Sequence, residues 1–411
     1  MKDWFFPLFF LITLFSDYIL FSGLLLAGKM VESGMMVRLI MPLSIISYMI
    51  LLVDLKHITR KRNNVIVLIS LAFIGVSYYL TSLFQLSIPS GNMSHFLKFC
   101  SMSVAATVLG IHAGIYPSSL KRVDTLLPFF VLFTGLVLGS LGYTAASAGT
   151  MVDREETGIS YQRIAYVMAE IFSYSVYYLF FSTARNTTLY KIMRWPMVFM
   201  CFFSILVCLM SGGRGAFVTM ILLGLFVLYI MIKSHRISYV ALSSIIVITA
   251  GVIILLIIKL NVMETIGFLR ISERLTEDPG RLELYNKAWR SIENSYYMGS
   301  GLGSVWWEVG FYSHNMFLDM LVEIGIIGTA IVLYVLYKMI KKLLFMCKID
   351  LRYMFLLLIL LQNLVHTIFS GYWISSYQLW IVYGFVFSAT SVLKPLRKNS
   401  FVGYEVSVSI R

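Results

Sequence analysis

Residues 195–232 read WPMVFMCFFSILVCLM, then SGGRG, then AFVTMILLGLFVLYIMI. Two apolar runs, 195–210 and 216–232, are divided only by Ser211-Gly212-Gly213-Arg214-Gly215. Each approaches the roughly 20 residues that cross about 30 Å of hydrocarbon. The small residues between them form a turn with one guanidinium in its middle.

Working outward, further apolar runs fall near 4–26, 38–54, 65–86, 96–116, 126–148, 164–184, 238–260, 314–336, 353–370 and 377–393. The chain is 59% hydrophobic and 13% charged, against about 45–50% and about 25% in ordinary soluble domains. A soluble fold cannot hide that much apolar surface, so the surrounding medium is lipid. The sequence predicts an all-α integral membrane protein with about twelve transmembrane helices, a single polytopic membrane domain over 1–411.

Twelve alternating spans put both termini on one side. The basic sets Lys56/Arg60/Lys61/Arg62, Lys121/Arg122, Arg185/Lys191/Arg194, Lys233/Arg236, Lys338/Lys341/Lys342/Lys348/Arg352 and Lys394/Arg397/Lys398 all fall on that side, with Lys2 and Arg411. The positive-inside rule makes it cytoplasmic. The net charge of +13 is then largely a topology signal, and nucleic-acid binding is not needed to explain it. The first apolar run is too long for a cleavable signal peptide and reads as the first span. Cys100, Cys201, Cys208 and Cys347 suggest neither a disulfide nor a metal site.

One long extramembrane segment, 261–313, lies outside between spans nine and ten. After Pro279-Gly280, the apolar positions Leu282, Tyr285, Ala288, Trp289 and Ile292 recur at helical spacing. They predict an amphipathic helix on the outer membrane surface. Gly299, Gly301 and Gly303 follow, then Trp306-Trp307 and Ser313-His314-Asn315 opening the next span.

Arginine is disfavoured inside apolar stretches and in outer loops, which singles out Arg214, then Arg281 and Arg290, with Arg154, Arg163, Arg270 and Arg274 behind them. Guanidinium groups stay charged and grip phosphate oxygens in pairs, so two or three at the outer surface would hold a lipid diphosphate. His314 begins a span beside Asn315, and Asn315, Asp319 and Glu323 share one helix face. An imidazole there could orient or deprotonate a hydroxyl. His57, His95 and His235 lie in loops, and His112 and His366 in spans read as packing positions. No pair has metal-ligand spacing. Asp17 and Glu170, which a twelve-span transporter or flippase would need, are expected to be isolated.

Taken in order, Ser211-Gly-Gly-Arg214-Gly-Ala, Arg281-Leu-Glu-Leu-Tyr-Asn-Lys-Ala-Trp-Arg290, Gly299-Ser-Gly-Leu-Gly303 and Ser313-His314-Asn315 with Glu323, Gly325 and Gly328 following resemble the O-antigen polymerase/O-antigen ligase superfamily. The resemblance covers roughly 195–345, and Tyr161-Gln162 looks like a recurrent outer-loop pair of these proteins. It implies a GT-C-like membrane enzyme of the bacterial inner membrane, active on the periplasmic face. The implied transfer is inverting and metal-independent, with no cofactor, from undecaprenyl-diphosphate-linked glycan to an acceptor hydroxyl. Arg214 and Arg281 would bind the diphosphate and His314 would handle the acceptor. Arg290, Asn315, Tyr161, Gln162, Glu323 and Gly301 would bind substrate, and a chain-length regulator protein is a further partner. The glycine run, the Tyr312-Ser-His-Asn context with Asp319, and an Arg290-x10-Gly301 spacing look more like polymerases than ligases.

Overall fold

A computed structural model describes residues 2–27, 33–84, 96–150, 152, 159–184, 186–233, 251, 257–265, 268–269 and 279–400. Its helices are α1 Lys2–Leu14, α2 Ser16–Leu26, α3 Ser33–Thr59, α4 Arg62–Phe84, α5 Phe96–Ile115, α6 Val123–Ser147, α7 Tyr161–Phe181, α8 Thr188–Ser211 and α9 Arg214–Lys233. After the outer loop's α10 Pro279–Asn294 and short α11 Val305–Glu308 come α12 Met316–Ile349, α13 Tyr353–Phe369 and α14 Tyr377–Ser400. There is no strand among the described residues.

Seven of these helices are long and apolar enough to cross a membrane, and the bent pair α1–α2 makes an eighth. Ser44–Val53, Tyr353–Phe369 and Tyr377–Ala389 are shorter apolar helices. Most of the run 238–260 lies outside the described residues. The protein is an all-α integral membrane protein.

Which side of each helix meets lipid is legible in its exposed apolar residues. On α4, Ile66, Ile69, Phe73, Val76 and Leu80 are all exposed, a stripe at three- and four-residue steps. A stripe of that kind is tolerable only against hydrocarbon. The helix at the centre is different in composition. In α7, 15 of 21 residues are buried, including Tyr166, Glu170, Tyr174, Tyr177 and Tyr178. It packs against α6, α8, α9 and α13.

Polar side chains on α7 bond across to its neighbours, as groups shut away from water must. Glu170 accepts from Tyr18 at 2.6 Å and from Gln378 at 2.9 Å, and Gln362 donates to Tyr174 at 3.1 Å. Nearer the start of α7, Arg163 pairs with Asp17 and lies 4.9 Å over the Phe21 ring. Asp17 and Glu170 are therefore not isolated, contrary to the sequence expectation. Both come from segments far apart in the chain, so no local pattern could have paired them.

The first span is not straight, since α1 and α2 meet at 75°. The break frees the Leu14 carbonyl, and the Tyr377 hydroxyl and Gln378 amide donate to it at 2.9 and 3.4 Å.

The closest helix pair is α5 with α14. A Cβ on Gly110 would lie 2.0 Å from the Ile381 carbonyl oxygen, and one on Gly384 would lie 2.2 Å from the Thr107 carbonyl oxygen. Small residues let the two backbones touch. Gly110→Ala is expected to force the pair apart at a cost of about 1–3 kcal/mol, read as a lower melting temperature of the detergent-purified protein. The exposed Gly23→Ala, with nothing near its Cβ, serves as the silent control.

Candidate active site

The turn between α8 and α9 carries the first arginine. Gly212 ends α8 in the left-handed region at φ 73°, which a glycine adopts at little cost. Arg214 then opens α9. A Cβ on Gly213 would meet the Ala165 Cβ at 2.2 Å, and one on Gly215 would meet the Tyr166 hydroxyl at 2.1 Å. The turn thus lies flush on the first two turns of α7, which hold Arg214 at the end of the bundle where α7 begins.

The loop helix α10 presents Arg281 and Arg290 differently. Ala288, Ser291 and Ile292 are buried and Leu284 is partly so, and this face packs on α12. Arg281 falls on the same stripe, three residues before Leu284. Arg290 is exposed. Leu282 and Trp289, two of the apolar positions read from the sequence, point away from α12 and are 62% and 48% exposed. A second apolar stripe on an outer-loop helix belongs to the membrane interface, where tryptophan is at home.

His314 stands just outside a helix, since α12 begins at Met316 with Asn315 as its N-cap. The Asn315 Oδ1 accepts the backbone N–H groups of Phe317 and Leu318 at 3.0 and 3.4 Å. His314 itself is in the left-handed region at φ 58°, sparsely populated for a residue with a side chain and often found at functional positions. Its ring meets Tyr312 edge-on at 4.4 Å. Trp306 packs against Phe311, Tyr312 and Tyr372 with centroids 5.4 to 5.6 Å apart.

The other acidic residues on that helix face turn toward the loop and hold it. Asp319, fully buried, accepts the Ser313 backbone N–H at 2.7 Å. Glu323 accepts from the Tyr372 hydroxyl at 2.5 Å, the Trp373 indole at 3.1 Å and the Gly303 N–H at 2.9 Å. Burial and the Glu323 carboxylate push the Tyr372 phenol well above its usual range, so it remains a donor.

Two residues on, α12 breaks at Gly325, φ 64° and ψ −171°. The glycine loop takes up the groups this break frees: Ser300 donates to the Val322 carbonyl at 2.8 Å and Gly301 to the Glu323 carbonyl at 2.9 Å, while Ile326 donates to the Tyr297 carbonyl at 3.0 Å. Gly301, at φ 98°, also lies against Thr81 of α4.

Tyr161 and Gln162 start α7, with the Gln162 amide donating to the Tyr161 hydroxyl at 3.2 Å. Arg154, Arg270 and Arg274 lie outside the described residues.

What joins these pieces is Tyr166, a residue the sequence reading passed over. Its hydroxyl abuts Gly215, is within reach of Ser370, and lies in electrostatic range of Arg281 and Tyr312. Its ring stacks on His366 at 4.0 Å, and His366 is in electrostatic range of His314 and Arg163. Arg281 and His314 are thus in electrostatic range of this aromatic pair, and Arg214 stands in the turn that abuts it. Tyr166 had no signal of its own in an apolar run. His366 did have one, a histidine within a span. Among the described residues no three His, Cys, Asp or Glu side chains cluster as metal ligands would.

A multi-pass helical bundle with cations, imidazoles and aromatics gathered at one end is the class of protein defined so far. Residues 199–333 match the family model described as O-antigen ligase, a similarity consistent with the O-antigen polymerase/ligase superfamily. The matched segment covers Arg214, Arg281, Arg290, Gly301, His314, Asn315 and Glu323, and the match does not separate polymerase from ligase. No curated protein and no solved structure matches the chain.

The roles of Asn315 and Glu323 are separable by substitution. Asn315→Asp keeps the cap oxygen and is expected to leave stability unchanged, whereas Asn315→Ala is expected to cost about 1 kcal/mol in thermal unfolding. Glu323→Ala, which strands three buried donors, is expected to cost several-fold more, at least about 3 kcal/mol.

Proposed function

We propose that this protein polymerises O-antigen repeat units carried on undecaprenyl diphosphate, as an inverting, metal-independent glycosyltransferase of the bacterial inner membrane. What supports this reading is that Arg281 and His314 lie in electrostatic range of Tyr166 and His366, with the Arg214 turn against Tyr166, at one end of the bundle.

Charge supports the orientation. The site end holds the α8–α9 turn, the start of α7, the start of α12 and the end of α13. The opposite helix ends carry Arg60, Lys61 and Arg62, Lys191 and Arg194, Lys233, Lys348 and Arg352. By the positive-inside rule that opposite face is cytoplasmic, with both termini, and the site faces the periplasm.

In the reaction, Arg214 and Arg281 hold the diphosphate of the donor. A hydroxyl of the acceptor repeat unit attacks the donor's anomeric carbon from the side opposite the diphosphate. A carbon–oxygen bond forms there as the bond to the phosphate oxygen breaks, and its electron pair leaves with the diphosphate. The two guanidiniums stabilise that growing charge, and His314 orients the acceptor hydroxyl or takes its proton. Diphosphate leaves without protonation, so no acid is required. Tyr161 and Gln162 at the start of α7, and Arg290 on the outer face of α10, contact the remainder of the lipid-linked glycan. Asn315, Glu323 and Gly301 serve by fixing the loop that presents His314. A chain-length regulator protein is a partner on this reading.

A ligase that transfers the glycan to lipid A-core has its own support in the description of the matched family. A flippase has less, because Asp17 and Glu170 are engaged by Arg163, Tyr18 and Gln378 and so are committed to the bundle's interior.

Lipopolysaccharide gels of cells carrying Arg214→Ala, Arg281→Ala or His314→Ala separate the three. Loss of a polymerase leaves core bearing one repeat unit; loss of a ligase leaves bare core with polymer held on the carrier lipid; loss of a flippase leaves neither. The first pattern is expected, with transfer reduced at least about 100-fold, and full ladders from all three variants would refute the site. Arg214→Lys is expected to fail too, since an ammonium cannot grip the diphosphate bidentately.

A further inference from the structure

His366 is a histidine inside a membrane helix that neither the sequence motifs nor the proposed chemistry employs. It is partly exposed within the bundle, and its ring stacks on Tyr166 at 4.0 Å. Neither ring nitrogen hydrogen-bonds another described residue. A packing histidine shielded by lipid would be expected to satisfy at least one nitrogen, because an unmet polar group costs about 1–3 kcal/mol there. The ring is held in place all the same. Tyr166 covers one face, and a Cβ on Gly371 would lie 3.6 Å from its Cε1.

The surroundings say what such a ring could bind. Arg281 and the Arg214 turn lie at the hydroxyl edge of Tyr166, where an anion would be drawn. His366 lies on the Tyr166 ring and in electrostatic range of His314. Two imidazoles within electrostatic range of each other suit a neutral group that both gives and takes hydrogen bonds, and a sugar hydroxyl is such a group.

We propose that His366 is a substrate-binding residue that hydrogen-bonds a hydroxyl of the acceptor sugar, with Tyr166 as its rigid backing. This rests on the transferase reading above and assigns the acceptor side of the site to the Tyr166–His366 pair.

Three variants in purified, vesicle-reconstituted protein test it, with undecaprenyl-diphosphate-linked repeat units from the host cells as probe. His366→Phe keeps the volume and the stack and removes the hydrogen bond; His366→Asn keeps a donor and an acceptor. Expected initial rates are at least tenfold below wild type for H366F and within about threefold for H366N, with the H366F melting temperature unchanged. A rate for H366F within twofold of wild type, while Arg214→Ala is inactive, would overturn the assignment and leave the transferase reading standing. Wild-type rates from Arg214→Ala as well would remove that reading itself.

A second measurement needs no variant to fold. Diethyl pyrocarbonate should modify His366 in the wild-type protein, as located by mass spectrometry, and the lipid-linked unit should slow that modification at least fivefold. Equal rates with and without the unit would count against the assignment.

Discussion

A single carboxylate, that of Glu323, ties together three stretches of chain that would otherwise have no reason to meet. It receives the Tyr372 hydroxyl, the Trp373 indole and the Gly303 N–H. A buried carboxylate is tolerable only when its oxygens are met by donors, so this one fixes the glycine loop and the α13–α14 link together at the head of α12. Trp306 and Tyr312 pack around Tyr372, and Tyr312 braces His314. The position of the candidate catalytic imidazole follows from that anchor.

The same rule governs the rest of the bundle. At two interrupted helices a neighbour supplies what the interruption removed. Tyr377 and Gln378 cover the carbonyl bared between α1 and α2, and the loop at 297–301 bonds into the break at Gly325. Lipid offers no hydrogen bonds, so irregular backbone survives only where protein surrounds it. Such places are also where backbone groups and side chains can be aimed at a ligand, and the site occupies one of them.

On the proposed function, the candidate site divides into residues that face the substrate and residues that hold them. Arg214, Arg281, His314 and, on our proposal, His366 belong to the first group. Asn315 as a cap, Glu323 as an anchor and Gly301 as a close contact with Thr81 belong to the second. One stretch of motif supplies both kinds, because a side chain with a strained backbone, like His314 at φ 58°, needs adjacent residues to keep it there.

The sequence by itself determined the helical membrane class, and it singled out Arg214, Arg281 and His314 as candidates. Each of those is written locally, in runs of apolar residues or in charges where lipid disfavours them. Only the tertiary structure decided which face of α10 is covered, that Asp17 meets Arg163 and Glu170 meets Tyr18 and Gln378, and that His366 stands beside Tyr166 within range of His314. Those outcomes depend on contacts between segments that are not neighbours in the chain, and helical periodicity carries no information about such partners. An apolar residue on a membrane helix reads the same whether lipid or another helix covers it, so Leu282 and Ala288 could not be told apart until α12 was seen packed against one of them.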